Sequence, residues 1–128
     1  MTADLTQLCP ALQPIAQQWL DNCHAANLKV SITVTWRSAI AQEQAKAAGL
    51  SNAGAGQSPH NVCDVNGNPN SCAFDFACFA DDATYITDGT DPKYTQAGAI
   101  GKALKLVWGG DFISFPDFDH LELAVWRN

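Results

Sequence analysis

The sequence predicts a single α+β domain spanning residues 1–128, a small antiparallel sheet with packed helices. Three observations point there. Three separate segments alternate apolar and polar residues, as half-buried strands do. Three others repeat apolar residues every three or four positions, as one-faced helices do. A chain of 128 residues with 47% apolar and 16% charged side chains suits one domain with one core, and it carries no internal repeat.

Taken in order, Leu5, Leu8, Leu12, Ile15, Trp19 and Cys23 mark the first helix. Pro10 and Pro14 lack an amide proton, so a short first turn precedes a helix that restarts at one of them and ends near Asn27. Lys29 to Trp36 alternates Val30, Ile32, Val34 and Trp36 with polar residues and reads as a strand, with Arg37 at its exit. Ser38 caps a helix over about Ala39 to Ala48, stopped by Gly49. Leu50 to Ser71 is a Gly-, Asn-, Ser- and Pro-rich loop of a length that usually carries function. Ala73 to Cys78 is a second strand, with Phe74 and Phe76 on one face and Asp75 on the other. Tyr94 to Val107 reads as a helix burying Ala97, Ile100, Leu104 and Val107, closed by Gly109 and Gly110. The last strand, Asp119 to Trp126, sets Leu121, Leu123 and Val125 against His120 and Glu122.

Seven basic against thirteen acidic residues give a net charge of −6, which excludes nucleic acid as a partner. No stretch reads as a signal peptide or membrane span, so synthesis in the cytoplasm without membrane insertion is expected. Five cysteines, Cys9, Cys23, Cys63, Cys72 and Cys78, are many for a cytosolic domain and odd in number for a disulfide framework.

Two of the three histidines keep company that suits a metal: His60 in Ser58-Pro-His-Asn61, and His120 at the start of the last strand, with Asp75 between them. Two imidazoles and a carboxylate match a catalytic zinc site with its fourth position open to water. Asp117, three residues before His120, is near enough in sequence to serve as general base. A loop histidine and a hydrogen-bonded strand histidine with no metal account for the same residues.

The ordered set Trp36-Arg-Ser38 with Gln42, Ser58-Pro-His-Asn61, Ala73-Phe-Asp75, Trp108-Gly-Gly-Asp-Phe112 and Ser114-Phe-Pro-Asp-Phe-Asp-His120 resembles the zinc LD/DD-peptidases that cut peptidoglycan stem peptides. That family includes D-alanyl-D-alanine carboxypeptidases and phage L-alanyl-D-glutamate endolysins, and its fold is shared with the Hedgehog signalling domain. The resemblance runs from about Val30 to Leu123. It implies His60, Asp75 and His120 as Zn²⁺ ligands, Asp117 as the acidic base, Arg37 as substrate ligand or oxyanion stabiliser, and Ser58 as support for the histidine loop or a peptide contact. The function it implies is a bacteriolytic, monomeric zinc metallopeptidase, most of all an L-alanyl-D-glutamate endolysin that is stored in the cytoplasm and reaches the cell wall in the periplasm after release through a separately made membrane lesion. A D-alanyl-D-alanine carboxypeptidase and a non-catalytic zinc domain of the same fold are the alternatives.

Two features depart from the family pattern. Fourteen residues separate His60 from Asp75, where the family has a short Gly-containing stretch. Cys63 and Cys72 flank most of this insertion and either pin it as a disulfide or stand as free thiols. Asp119 replaces a common proline, and strand alternation turns it away from His120, leaving Asp117 as base. Glu122 is either a partner of the site or a solvated strand residue, and is left outside the site. His24 is read as a surface residue, and Asp64 to Asn70 as a polar turn in spite of its likeness to a calcium loop.

Overall fold

In the computed structural model, residues 3–49 and 58–124 are described. A one-turn 3₁₀ segment at Leu5–Gln7 precedes α1, Leu12–Ala25, with Pro14 in its first turn, where its missing N–H costs nothing. Asn27, at φ 62°, ends the helix, and the chain enters β1, Lys29–Val34. Ser38 accepts from the Ala41 amide and opens α2, Ala39–Ala47, as its residue type predicts. Strand β2 is Ala73–Phe79, α3 is Pro92–Ala103, β3 is Leu106–Trp108 and β4 is His120–Leu123.

The four strands form one antiparallel sheet in the order β1-β2-β4-β3. The α+β class and the antiparallel sheet with helices are therefore as expected. Helices α1 and α3 cover one face. Trp19, fully buried, lies between Phe74 and Phe76 with ring centroids 5.3 and 4.8 Å away, and its indole N–H donates to the Ala97 carbonyl in α3 at 3.0 Å. A Cβ on Gly98 would come within 2.4 Å of the Trp108 ring, so only glycine allows α3 to sit this close to β3.

One expected element is corrected. Tyr94 to Val107 is not a single helix: α3 ends at Ala103, Lys105 adopts φ 70°, and Leu106 to Trp108 becomes the edge strand β3, pairing with β4. Val107 lies on that strand opposite Glu122, not on a helical face. The apolar spacing of Leu104 and Val107 fits a helix locally, but the unfilled edge of β4 outweighs it. Continuation of the last strand through Val125 and Trp126, and residues 50–57 of the long loop, lie outside the described residues.

Candidate active site

The face of the sheet away from the helices carries the polar residues. Asp75 and His120 are direct partners in the β2/β4 register, so both side chains leave the sheet on the same side, opposite Phe74 and Leu121. A bulge between Ile32 and Val34 brings β1 past Asp75, and the chain beyond it supplies the Thr35 carbonyl. His60 arrives from the 3₁₀ turn Pro59–Asn61. The Ser58 hydroxyl accepts from the His60 amide and the Asn61 carboxamide oxygen accepts from the Ser58 amide, a reciprocal cap. The Asn61 carboxamide N–H also donates to the Arg37 carbonyl at 2.8 Å, and the Arg37 amide donates to the His60 carbonyl at 2.9 Å. The histidine turn is thus stapled to the β1 exit.

The hydrogen bonds around the two imidazoles fix where their lone pairs point. His60 Nδ1 lies 3.0 Å from the Thr35 carbonyl, which can only accept, so Nδ1 carries the proton and Nε2 presents a lone pair to Asp75 Oδ1 at 3.2 Å. His120 Nε2 donates to the fully buried Glu122 Oε1 at 2.8 Å, leaving Nδ1 at 3.1 Å from the same Asp75 oxygen. Two imidazole lone pairs and a carboxylate therefore converge, with one donor atom from each of His60, Asp75 and His120 inside a 4.8 Å span. Electron-rich atoms facing one another need a proton or a cation between them, and this donor set, each imidazole backed by an acceptor, suits Zn²⁺. Protonation supplies the positive charge otherwise. Burial disfavours the His120 charge, yet hydrogen bonds to Asp75 and Glu122 push its pKa up to about 10. Burial likewise opposes ionisation of Asp75, but the His60 charge and the two imidazole hydrogen bonds hold its carboxyl below the usual range.

Asp117 stands at the rim. Its side chain is 37% exposed, and Oδ2 lies 3.8 Å from His120 Nδ1. The Trp108-Gly109 segment places it: the Asp117 amide donates to the Gly109 carbonyl at 2.9 Å, and the Trp108 indole donates to the Phe118 carbonyl at 2.8 Å. A Cβ at Gly109 would meet the Asp117 carbonyl oxygen at 2.2 Å, so any other residue would push this turn off the site. Asp119 does not turn away as strand alternation suggested. It precedes β4 in a turn, where alternation does not apply, and its carboxylate lies within 4.8 Å of those of Asp75 and Asp117. Burial, a hydrogen bond with Asp117 and repulsion from Asp75 push the Asp119 carboxyl up to about 9.

Arg37 also reaches the site, with Nη2 3.7 Å from Asp75 Oδ2 and Nη1 donating to the Gln42 side-chain oxygen at 3.0 Å. Gln42 is fully buried in α2 and fixes the direction of the guanidinium. All six residues singled out in the sequence, Arg37, Ser58, His60, Asp75, Asp117 and His120, therefore gather at this end of the sheet. Glu122, outside the set that the sequence singles out, joins them through His120. Its signal was the His-x-Glu spacing, which puts both side chains on one face of a strand. The Thr35 carbonyl had no signal, being backbone. His24 is exposed on α1, as expected.

The insertion between His60 and Asp75 closes on itself without a covalent link. Asn70 donates to the Val62 carbonyl, Cys63 bridges Pro69, and Asp64 Oδ1 accepts from the Asn66 and Asn68 amides, the polar turn expected there. Cys63 and Cys72 are both free thiols, of which Cys63 is exposed and turned to the Asn61 carbonyl.

Among the described residues no helix is long and apolar enough to cross a membrane. No protein-family model and no curated protein matches the chain by sequence. Among solved structures, the fold is similar to the crystal structure of the L-Ala D-Glu endopeptidase ChiX of Serratia marcescens. That similarity has a TM-score of 0.67 and 19% identity, over 96% of this chain and 85% of that one.

Proposed function

We propose that this protein is a zinc-dependent hydrolase of peptidoglycan stem peptides, cutting the bond between L-alanine and D-glutamate. The observation that carries the reading is the convergence of two lone-pair-bearing imidazoles and a carboxylate, with an exposed second carboxylate 3.8 Å from one of them. The fold shared with an L-Ala D-Glu endopeptidase and the order of the sequence motifs support the choice of bond. His60 Nε2, Asp75 Oδ1 and His120 Nδ1 would hold the ion, which when bound supplies a Lewis acid that polarises a carbonyl and acidifies water.

The remaining steps belong to the chain's own groups. Asp117, accessible and pinned by Gly109 and Trp108, takes the proton of the attacking water and returns it to the leaving amine. Arg37, held by Gln42, faces negative charge as it develops on the carbonyl oxygen. Ser58 keeps its hydroxyl as the cap that holds the His60 turn. Such an enzyme acts on the bacterial cell wall, as a phage or prophage endolysin does.

Purified muropeptides incubated with zinc-loaded protein test the reading directly. A new D-glutamate amino terminus, identified by mass spectrometry, is the expected product. Release of terminal D-alanine would make it a carboxypeptidase. Intact muropeptides beside stoichiometric bound zinc would leave a non-catalytic zinc domain.

A further inference from the structure

The five cysteines occupy unequal places. Ser71 donates from its amide to the Gln7 carbonyl and accepts from the Cys9 amide, both at 2.9 Å, which makes Leu8 and Ser71 partners in a parallel bridge. The next residue on each side is a cysteine. Cys9 and Cys72 therefore lie beside one another just past the bridge, where burial and the neighbouring Cys9 push the Cys72 thiol up to about 11. Bridged backbones run about 4.8 Å apart, inside the Cα separation of about 4.4–6.8 Å that a disulfide needs. Reagents can reach the pair through Cys72, which is partly exposed, whereas Cys23 and Cys78 are 0% and 1% exposed between α1 and β2.

We propose that Cys9 and Cys72 are a disulfide-forming pair that fastens the N-terminal segment to the start of the strand bearing Asp75. The inference rests on the fold and not on the reaction proposed above. The oxidant is an exchangeable disulfide, either a small molecule or a dithiol oxidase. The Cys72 thiolate attacks one sulfur of that disulfide and expels a thiol. The Cys9 thiolate then attacks the Cys72 sulfur and expels the second. Two protein thiols become one disulfide, and the oxidant's disulfide becomes two thiols. The staple closes a loop with 62 residues between its ends. It also sits where the Cys72 carbonyl accepts from the Leu123 amide, at the end of β4.

The protein equilibrated with oxidised glutathione, alkylated with N-ethylmaleimide and cut before aspartate gives a decisive peptide map. Cys9 then lies in 4–20, Cys72 in 64–74, Cys78 in 75–80, and Cys23 with Cys63 in 21–63. Fragment 4–20 joined to 64–74 is expected. Fragment 21–63 joined to 64–74, or maleimide on every cysteine, would overturn the pairing. As a second measurement, the oxidised protein should melt roughly 10 °C above its reduced form, a difference kept by Cys63→Ser and lost by Cys9→Ser. A Cys9→Ser protein that still responds to reductant would also overturn it.

Discussion

The two faces of β2 are built from alternate residues of one segment, Phe74 and Phe76 towards the helices and Asp75 away from them, and they do opposite work. The helix face buries aromatic surface around Trp19 and holds the domain together. The other face, with the turn before β4, gathers four carboxyl groups and two imidazoles, whose mutual repulsion is relieved by protons or a cation. A single ladder register serves both, because a slip of one residue would exchange the faces. Burial fixes the register, and the register then sets Asp75 beside His120.

Substitutions on each face separate the two roles. The largest effect is expected from His120→Ala, which removes one of the three proposed ligands: bound metal, read by elemental analysis after dialysis, should be lost together with hydrolysis. Asp117→Ala should retain its metal while turnover falls by about 10²–10⁴-fold, measured by muropeptide release. On the opposite face, Trp19→Ala should cost about 3–5 kcal/mol of stability in denaturant unfolding and leave metal stoichiometry unchanged in the folded fraction. Glu122→Gln weakens the acceptor behind His120, and a chelator competition should show metal affinity reduced by about 10–100-fold. The smallest change should come from Arg37→Lys, on the order of tenfold in kcat/KM, because an ammonium cannot reproduce the fork held by Gln42. Equal metal loss in His120→Ala and Trp19→Ala would mean that the faces are not separable.

Much of this arrangement is legible in the residues themselves. The Phe-Asp-Phe alternation gives β2 and the side on which Asp75 lies, and Ser58-Pro-His-Asn61 gives a capped turn carrying a histidine. The two glycines of Trp108-Gly-Gly read as a helix stop, whereas the close backbone approach at Gly109 that pins Asp117 exists only in three dimensions. Strand β3 was hidden because Leu104 and Val107 satisfy a helical period and no residue announces that Lys105 will turn left-handed. Strand alternation does not reach Asp119, which lies in the turn before β4. Glu122 carried its spacing signal in the open, but a lone strand glutamate is ordinarily solvated, and only the fold shows it sealed beneath His120.

The excursion from Val62 to Asn70 meets its own backbone before rejoining the domain, and at its tip Val65 is fully exposed. Chain length at that tip is thus a free variable. A wall-targeting peptide or a fluorescent reporter grafted there would leave the pairing at the base of the excursion in place, giving the molecule an attachment port.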